Sequence, residues 1–186
     1  IRTLNTDARA LVSTLESETG PVTGKRIAIY GAGGVGKSAA ISLAAAGASI
    51  TIFNRAYDRA AALAESLDLV SRAQITADDV ANLARSRFDA YINCTPVGMK
   101  DGPAPAASPL PIADIARLAP GAIVMDTIYN PLETTLLRNA RESGLRPIFG
   151  LPMFIAQAAA QFSQWTGHSA PAQLFDRIAR EQLAAR

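Results

Sequence analysis

Gly31-Ala32-Gly33-Gly34-Val35-Gly36 follows a short apolar run, Ile27-Ala28-Ile29-Tyr30, and leads into an alanine-rich stretch from Ser38 to Ala46. Strand, tight turn and helix in that order form a seat for the pyrophosphate of a dinucleotide. Gly31 permits the sharp turn, Gly33 lets backbone come close to the phosphates, and Gly36 lets the helix lie close to the strand. The phosphates then rest on the unpaired N–H groups of the helix start, where the dipole is positive. Gly31, Ala32, Gly33, Gly34 and Val35 are the expected cofactor contacts of this turn.

Ser49-Ile50-Thr51-Ile52-Phe53 reads as the second strand, β-branched and preceded by Gly47. It lies about 20 residues beyond the turn, where an NAD-binding chain carries an acid for the ribose 2′-hydroxyl. This strand instead runs into Asn54-Arg55-Ala56-Tyr57-Asp58-Arg59. A carboxylate repels a 2′-phosphate, whereas guanidinium groups pair with it bidentately. Arg55 and Arg59 therefore favour NADP over NAD; the plain alternative is that both are solvated surface charges. Asp58 fits the first turn of the next helix, a favoured place for an acid.

Gly31 to Ser38 also spells G-x-x-x-x-G-K-S, the phosphate loop of a P-loop nucleotide hydrolase, with Ala122-Ile123-Val124-Met125-Asp126 as its magnesium-binding strand. Against this, Gly33 and the two arginines have a task only in the dinucleotide reading, and Lys37 becomes an ordinary helix residue there.

The elements that must position these residues alternate along the chain. A helix capped by Asn5 or Thr6 runs to about Glu16, and Thr19 to Lys25 turns into the first strand. Helices are expected at Arg59 to Leu67 and Thr76 to Arg85, the latter with acids in its first turn. Phe88 to Asn93 and Ala122 to Thr127 read as strands, separated by a Pro/Ala-rich loop, Lys100 to Pro111, and a short helix, Ile112 to Leu118. Glu133 to Ser143 is a helix closed by Gly144, Leu145 to Phe149 a last strand, and Pro152 to Trp165 and Ala170 to Ala185 two closing helices. Strands alternating with helices predict an α/β fold, a doubly wound parallel sheet of the Rossmann type.

With 186 residues, 49% hydrophobic and 18% charged, the chain has enough material for one domain with a full core. A net charge of +2 and 6% aromatics argue against nucleic-acid binding. The longest apolar stretch, Ala39 to Phe53, is too short and too interrupted for a membrane span. The lone cysteine, Cys94, suits a reducing compartment, and no cluster has metal-ligand spacing. A cytoplasmic protein is expected. The chain opens on Ile1 rather than methionine, which suggests a piece of a longer protein.

Five segments together resemble the shikimate dehydrogenase family, specifically its NADP-binding domain and closing helices. They are Asn5-Thr6-Asp7, the glycine turn with Asn54-Arg55 to Arg59, Asn93-Cys94-Thr95-Pro96-Val97-Gly98-Met99, Met125-Asp126-Thr127-Ile128-Tyr129-Asn130-Pro131, and Gly150-Leu151-Pro152-Met153 through Gln157-Ala158-Ala159 to Trp165-Thr166-Gly167. The resemblance spans essentially residues 1–186. It implies NADPH-dependent, reversible reduction of 3-dehydroshikimate to shikimate.

It also implies roles. Asp7 matches a catalytic aspartate that works beside a lysine on the reacting hydroxyl, Gln157 a substrate-binding glutamine, and Tyr129 a substrate-contacting tyrosine. Asn93 and Thr95 match a loop flanking the cofactor, and Thr127 and Gly150 positions near the nicotinamide. Two departures stand out. Ala56 replaces the family's usual threonine after Asn-Arg, and the family's first domain, with the catalytic lysine, is absent: neither Lys25, Lys37 nor Lys100 occupies a matching motif. That substrate domain is expected upstream. Local sequence leaves plainer readings open: Asp7 as a first-turn acid favoured by the dipole, Gln157 as a polar residue bonded to backbone, Tyr129-Asn130-Pro131 as a turn. A non-catalytic NADP-binding module is the further alternative.

Overall fold

The structure is a computed structural model and describes residues 5–68 and 73–185. Helix α1 (Thr6–Thr19) precedes β1 (Arg26–Tyr30), α2 (Gly34–Ala45), β2 (Ser49–Phe53), α3 (Tyr57–Asp68) and β3 (Ile75–Asp78). Then follow β4 (Ala90–Asn93), the short α4 (Ile112–Ile115), β5 (Ile123–Asp126), α5 (Thr135–Glu142), β6 (Arg146–Ile148), α6 (Gly150–Thr166) and α7 (Ala172–Ala184). All pairings are parallel, in the order β3-β2-β1-β4-β5-β6. The order reverses between β1 and β4, and the crevice above their carboxyl ends is where such a sheet binds ligands.

Alternation along the strands builds one core on each face. Ile27 and Ile29 of β1, Ile92 of β4 and Met125 of β5 pack with Leu11 and Leu15 of α1 and Leu43 of α2. The residues between them, Ala28, Tyr91 and Val124, pack with Leu136, Leu137 and Ala140 of α5 on the opposite face. A sheet covered on both faces is the doubly wound architecture expected from the sequence.

The helix expected over Thr76 to Arg85 does not form. Ile75–Asp78 is instead an edge strand, with Ile50 opposite Ile75 and Phe53 opposite Asp78. Beyond it lies only one 3₁₀ turn, Val80–Asn82, capped by the Asp79 carboxylate, which accepts from Ala81 N. The acids that resemble a first helical turn therefore end a strand, and Ile75 and Thr76 follow their β-branched preference. Helix starts also shift: α2 begins at Gly34, α3 at Tyr57 and α6 at Gly150, earlier than expected, and α5 at Thr135 and α7 at Ala172, later. At α1, Asn5 is the cap, its Oδ1 accepting from Ala8 N. No described helix is long and apolar enough to cross a membrane.

Candidate functional site

The glycine turn is three residues long, Gly31 to Gly33, between β1 and α2. Gly31 N donates to Phe53 O (2.8 Å), tying the turn to β2. Gly31 has φ +118°, and a Cβ there would lie 2.9 Å from Cys94 O. A Cβ on Gly36 would fall inside contact distance of Gly31 O, so the third glycine is what lets α2 start against the turn. Gly33 and Gly34 differ: a Cβ on either meets nothing within 4 Å. They are exposed and form an open backbone surface. Helix α2 has no side-chain cap and no acid in its first turn. Its first helical bond is Lys37 N to Gly33 O (2.8 Å), so among the described residues the N–H groups of Gly33, Gly34, Val35 and Gly36 are left for an anion. An open, uncapped, acid-free helix start fits a pyrophosphate.

Asn54 links this turn to the end of β2: its Oδ1 accepts from Ala32 N (3.4 Å) and its Nδ2 donates to Ala56 O (2.9 Å). Arg55 and Arg59 are exposed beside it, and Asp58 occupies the first turn of α3. Among the described residues neither arginine has an ion-pair partner. The nearby Arg55 charge partly offsets the burial that raises the Tyr30 phenol above its usual range.

The hydrolase motif fails on geometry. A loop that wraps phosphates must keep the residues between its glycines out of the helix, yet Gly34, Val35, Gly36 and Lys37 all belong to α2. Asp126 is fully buried and holds protein donors instead of facing the crevice. Lys37 is exposed. Lys37→Ala is expected to change dinucleotide affinity by no more than about fivefold, the scale of one exposed charge. The same protein should show no magnesium-dependent ATP or GTP turnover. Phosphate release that disappears in the variant would restore the hydrolase reading.

The floor of the crevice is a polar network at the ends of β4 and β5. Asn93 Nδ2 donates to Asp126 Oδ1 (3.0 Å), and Asn93 Oδ1 accepts from Thr95 N (3.0 Å) and Thr95 Oγ1 (2.7 Å). Thr127 Oγ1 donates to Asn93 O (2.9 Å), while Asp126 Oδ2 accepts from Thr134 Oγ1 (2.7 Å). Burial pushes Asp126 up to about 6, against the pull of its three donors. Burial, with Asp126 nearby, also raises the Cys94 thiol. Such a thiol is a poor nucleophile.

Two hollows flank the start of α2. One, of 530 Å³, is lined by Thr95, Met99, Thr127, Tyr129 and Leu183 among others. The second, of 340 Å³, is lined by Asp7, Leu11, Gly34, Ser38 and Met153 among others. Val35 lines both, so the two adjoin at the start of α2. Tyr129 stacks on Phe154 of α6, with ring centroids 4.1 Å apart. Gly150 opens α6 where a Cβ would collide with Ile128 O. Gln157 Oε1 accepts from Gln161 Nε2 (2.7 Å).

The structure thus places Asp7 and Gly34 on one hollow and Thr95, Thr127 and Tyr129 on the other, with Val35 on both; Asn93 is buried beneath Thr95 and Thr127, Asn54 is bonded to the glycine turn, and Gly150 is packed against Ile128. Gln157 lies one turn beyond Met153 on α6, while Arg55, just past β2, and Arg59, in the first turn of α3, are exposed and line neither hollow. Sequence reasoning missed Gln161, Thr134 and the packing role of Asp126. Gln161 carried a signal, its i+4 spacing from Gln157 on one helix face.

A family model described as "Shikimate / quinate 5-dehydrogenase" matches residues 13–97. A second, described as "Shikimate 5'-dehydrogenase C-terminal domain", matches residues 150–180. A shikimate dehydrogenase (NADP(+)) of Moorella thermoacetica is 40% identical over 97% of this chain. The chain belongs to the shikimate dehydrogenase family. A second family member, from Methanosarcina barkeri, is 37% identical over 98% of the chain. Among solved members, the Thermus thermophilus shikimate 5-dehydrogenase, crystallised with NADP(H) and shikimate, superposes with a TM-score of 0.79 at 33% identity and 95% coverage of this chain. The chain spans 61% of the Moorella protein, 65% of the Methanosarcina protein and 62% of the Thermus chain.

Proposed function

We propose that this chain is the NADP-binding portion of a cytoplasmic shikimate dehydrogenase, which reversibly reduces 3-dehydroshikimate to shikimate in aromatic amino-acid biosynthesis. The observation that carries the reading is the open, acid-free helix start at Gly33 and Gly34, together with exposed Arg55 and Arg59 just beyond β2, neither ion-paired among the described residues. In this reading Gly31, Ala32, Gly33, Gly34 and Val35 hold the pyrophosphate, and Arg55 and Arg59 hold the 2′-phosphate. Asn54 fixes the loop between them. Asn93, Thr95, Thr127 and Gly150 shape the nicotinamide end, with the Asp126 network keeping them in register. The bound dinucleotide supplies or accepts the hydride.

The remaining tasks belong to side chains: orienting the substrate, excluding water and moving one proton. Tyr129 and Gln157 orient, and Asp7 exchanges the proton at the reacting oxygen. Proton exchange at the reacting oxygen calls for a second proton-carrying group beside Asp7. A lysine from a substrate domain in the remaining length of the relatives suits that task, because each group of such a pair tunes the other.

Titration calorimetry with both dinucleotides tests the cofactor assignment. NADPH should bind in preference to NADH. Arg55→Ala removes a charge-assisted contact of roughly 1.5–3 kcal/mol and should weaken NADPH about 10- to 150-fold with little change for NADH. Equal affinity for the two dinucleotides would sink it. In the full-length protein, shikimate should be oxidised with NADP, and Asp7→Asn should remove that activity while NADPH still binds. Binding without turnover in the full-length protein would leave only an NADP-binding module.

A further inference from the structure

Gln161 lies one turn beyond Gln157 on α6, half-buried against α1. Its Nε2 donates twice, to Gln157 Oε1 at 2.7 Å and to Thr6 Oγ1 at 3.0 Å. An amide nitrogen carries two hydrogens, so both are used. The carbonyl oxygen of Gln157 is thereby held toward Gln161, and among the described residues nothing accepts from the Gln157 NH₂ group. Met153, one turn before Gln157 on the same face, lines the hollow that contains Asp7. Thr6, the other partner of Gln161, is the residue before Asp7 and is itself buried.

We propose that Gln161 is a positioning residue that sets the hydrogen-bond polarity of Gln157, so that the cleft offers donors, and that it ties this donor group to the Asp7 end of α1 through Thr6. The group recognised is then an acceptor oxygen on the substrate. This rests on the reading of Gln157 as a substrate contact. The opposite polarity would need Thr6 to donate to Gln161, and Gln157 NH₂ to be buried against it.

Three variants of the full-length protein separate these arrangements. Gln161→Glu presents only acceptors, so it draws the Gln157 NH₂ inward and turns its oxygen to the cleft. Gln161→Met keeps the volume and merely releases Gln157. The Michaelis constant for shikimate should rise about tenfold or more in Gln161→Glu and about two- to threefold in Gln161→Met, the scale of one reversed against one released hydrogen bond. The turnover number should move less, and NADPH affinity should not change. In a Gln157→Ala background, Gln161→Glu should add less than about twofold, because the group it acts through is gone. A Gln161→Glu variant no worse than Gln161→Met, or one whose effect persists without Gln157, overturns the proposal.

A substrate-free measurement decides the polarity by itself. In nuclear magnetic resonance of the wild type, the Gln161 side-chain amide protons should exchange with solvent more slowly than those of Gln157. Gln161→Glu should protect Gln157. The reverse order in the wild type overturns the proposal even if shikimate is not the substrate. Absence of shikimate binding in the wild type, with the amide order as expected, would instead overturn only the assigned substrate.

Discussion

Gly36→Ala should destabilise the protein and abolish nucleotide binding, whereas Gly33→Ala should leave stability intact and weaken nucleotide binding alone. Both glycines belong to one motif, and the surroundings of their missing Cβ atoms separate them. At Gly36 the new carbon meets the carbonyl oxygen of Gly31, a backbone atom fixed by the Gly31 N bond to Phe53 O. Alanine favours a helix by about 1 kcal/mol over glycine. Overpacking against rigid backbone costs typically 1–3 kcal/mol, occasionally more, and wins for so deep an overlap. Helix α2 must then withdraw from β1, opening the core around Ala39, Ala40 and Leu43. At Gly33 the carbon meets nothing within 4 Å and φ is −89°, which alanine adopts freely. There the substitution only stiffens the unfolded chain, a gain of about 0.4–1 kcal/mol where the backbone is compatible. The same methyl group stands where backbone must meet phosphate, and losing one charge-assisted bond should cost roughly 10- to 150-fold in NADPH affinity. Thermal melting and calorimetry on both variants check this. A wild-type melting temperature in Gly36→Ala, or wild-type affinity in Gly33→Ala, would contradict it.

The contrast between these glycines was legible in the sequence because the three positions make three local conformational demands. The strands β1, β4 and β5 were legible for a related reason: each carries a buried apolar run, Ile27 to Ile29, Ala90 to Ile92 and Ile123 to Met125, while β2 showed itself by its β-branched residues, with Ile50 and Ile52 buried and Ser49 and Thr51 half-buried between them. The strand β3 was not. It is an edge of four residues with only Ile75 buried, and its identity depends on pairing with β2. Asp78 and Asp79 hid it, because acids there resemble a helix start; Asp79 does cap, but only a single 3₁₀ turn. The hydrolase motif shows the same limit from the other side. Its residues are all present, and what excludes it is where α2 begins, a boundary that Gly34, Val35 and Gly36 do not betray. Thr134 caps α5 locally through Leu137 N, but its link to the crevice was missed because Asp126, to which its hydroxyl donates, meets it only once β5 and α5 are packed.

Asp126→Ala is expected to unfold much of the crevice, while Asp126→Asn should keep the fold and remove a pH dependence. Asp126 is 0% exposed and accepts from Asn93 Nδ2, Ile128 N and Thr134 Oγ1. Alanine leaves three buried donors without acceptors at about 1–3 kcal/mol each, a large share of a domain's stability. Asparagine can still accept from Asn93 and Ile128 through its oxygen and can donate to Thr134, whose hydroxyl turns round. The carboxyl of Asp126 sits at about 6 in the folded protein against 3.8 ordinarily, because burial disfavours its charge. The folded state therefore binds the proton more readily than the unfolded chain. Stability contributed by protonated Asp126 is fully present below about pH 4 and is lost as pH rises through about 6. The rise from 3.8 to about 6 corresponds to roughly 3 kcal/mol across that window. Other carboxylates titrate there too, so the decisive quantity is the difference between the wild type and Asp126→Asn in denaturant melts from pH 4 to pH 7. The wild type should lose stability relative to the variant as pH rises, with the difference levelling off above the folded value. Parallel curves would remove Asp126 as the titrating group, and a wild-type melting temperature in Asp126→Ala would show that the network does not hold the crevice. Because Thr95 and Thr127 hang from Asn93, whatever Asp126→Ala protein still folds should also bind NADPH more weakly.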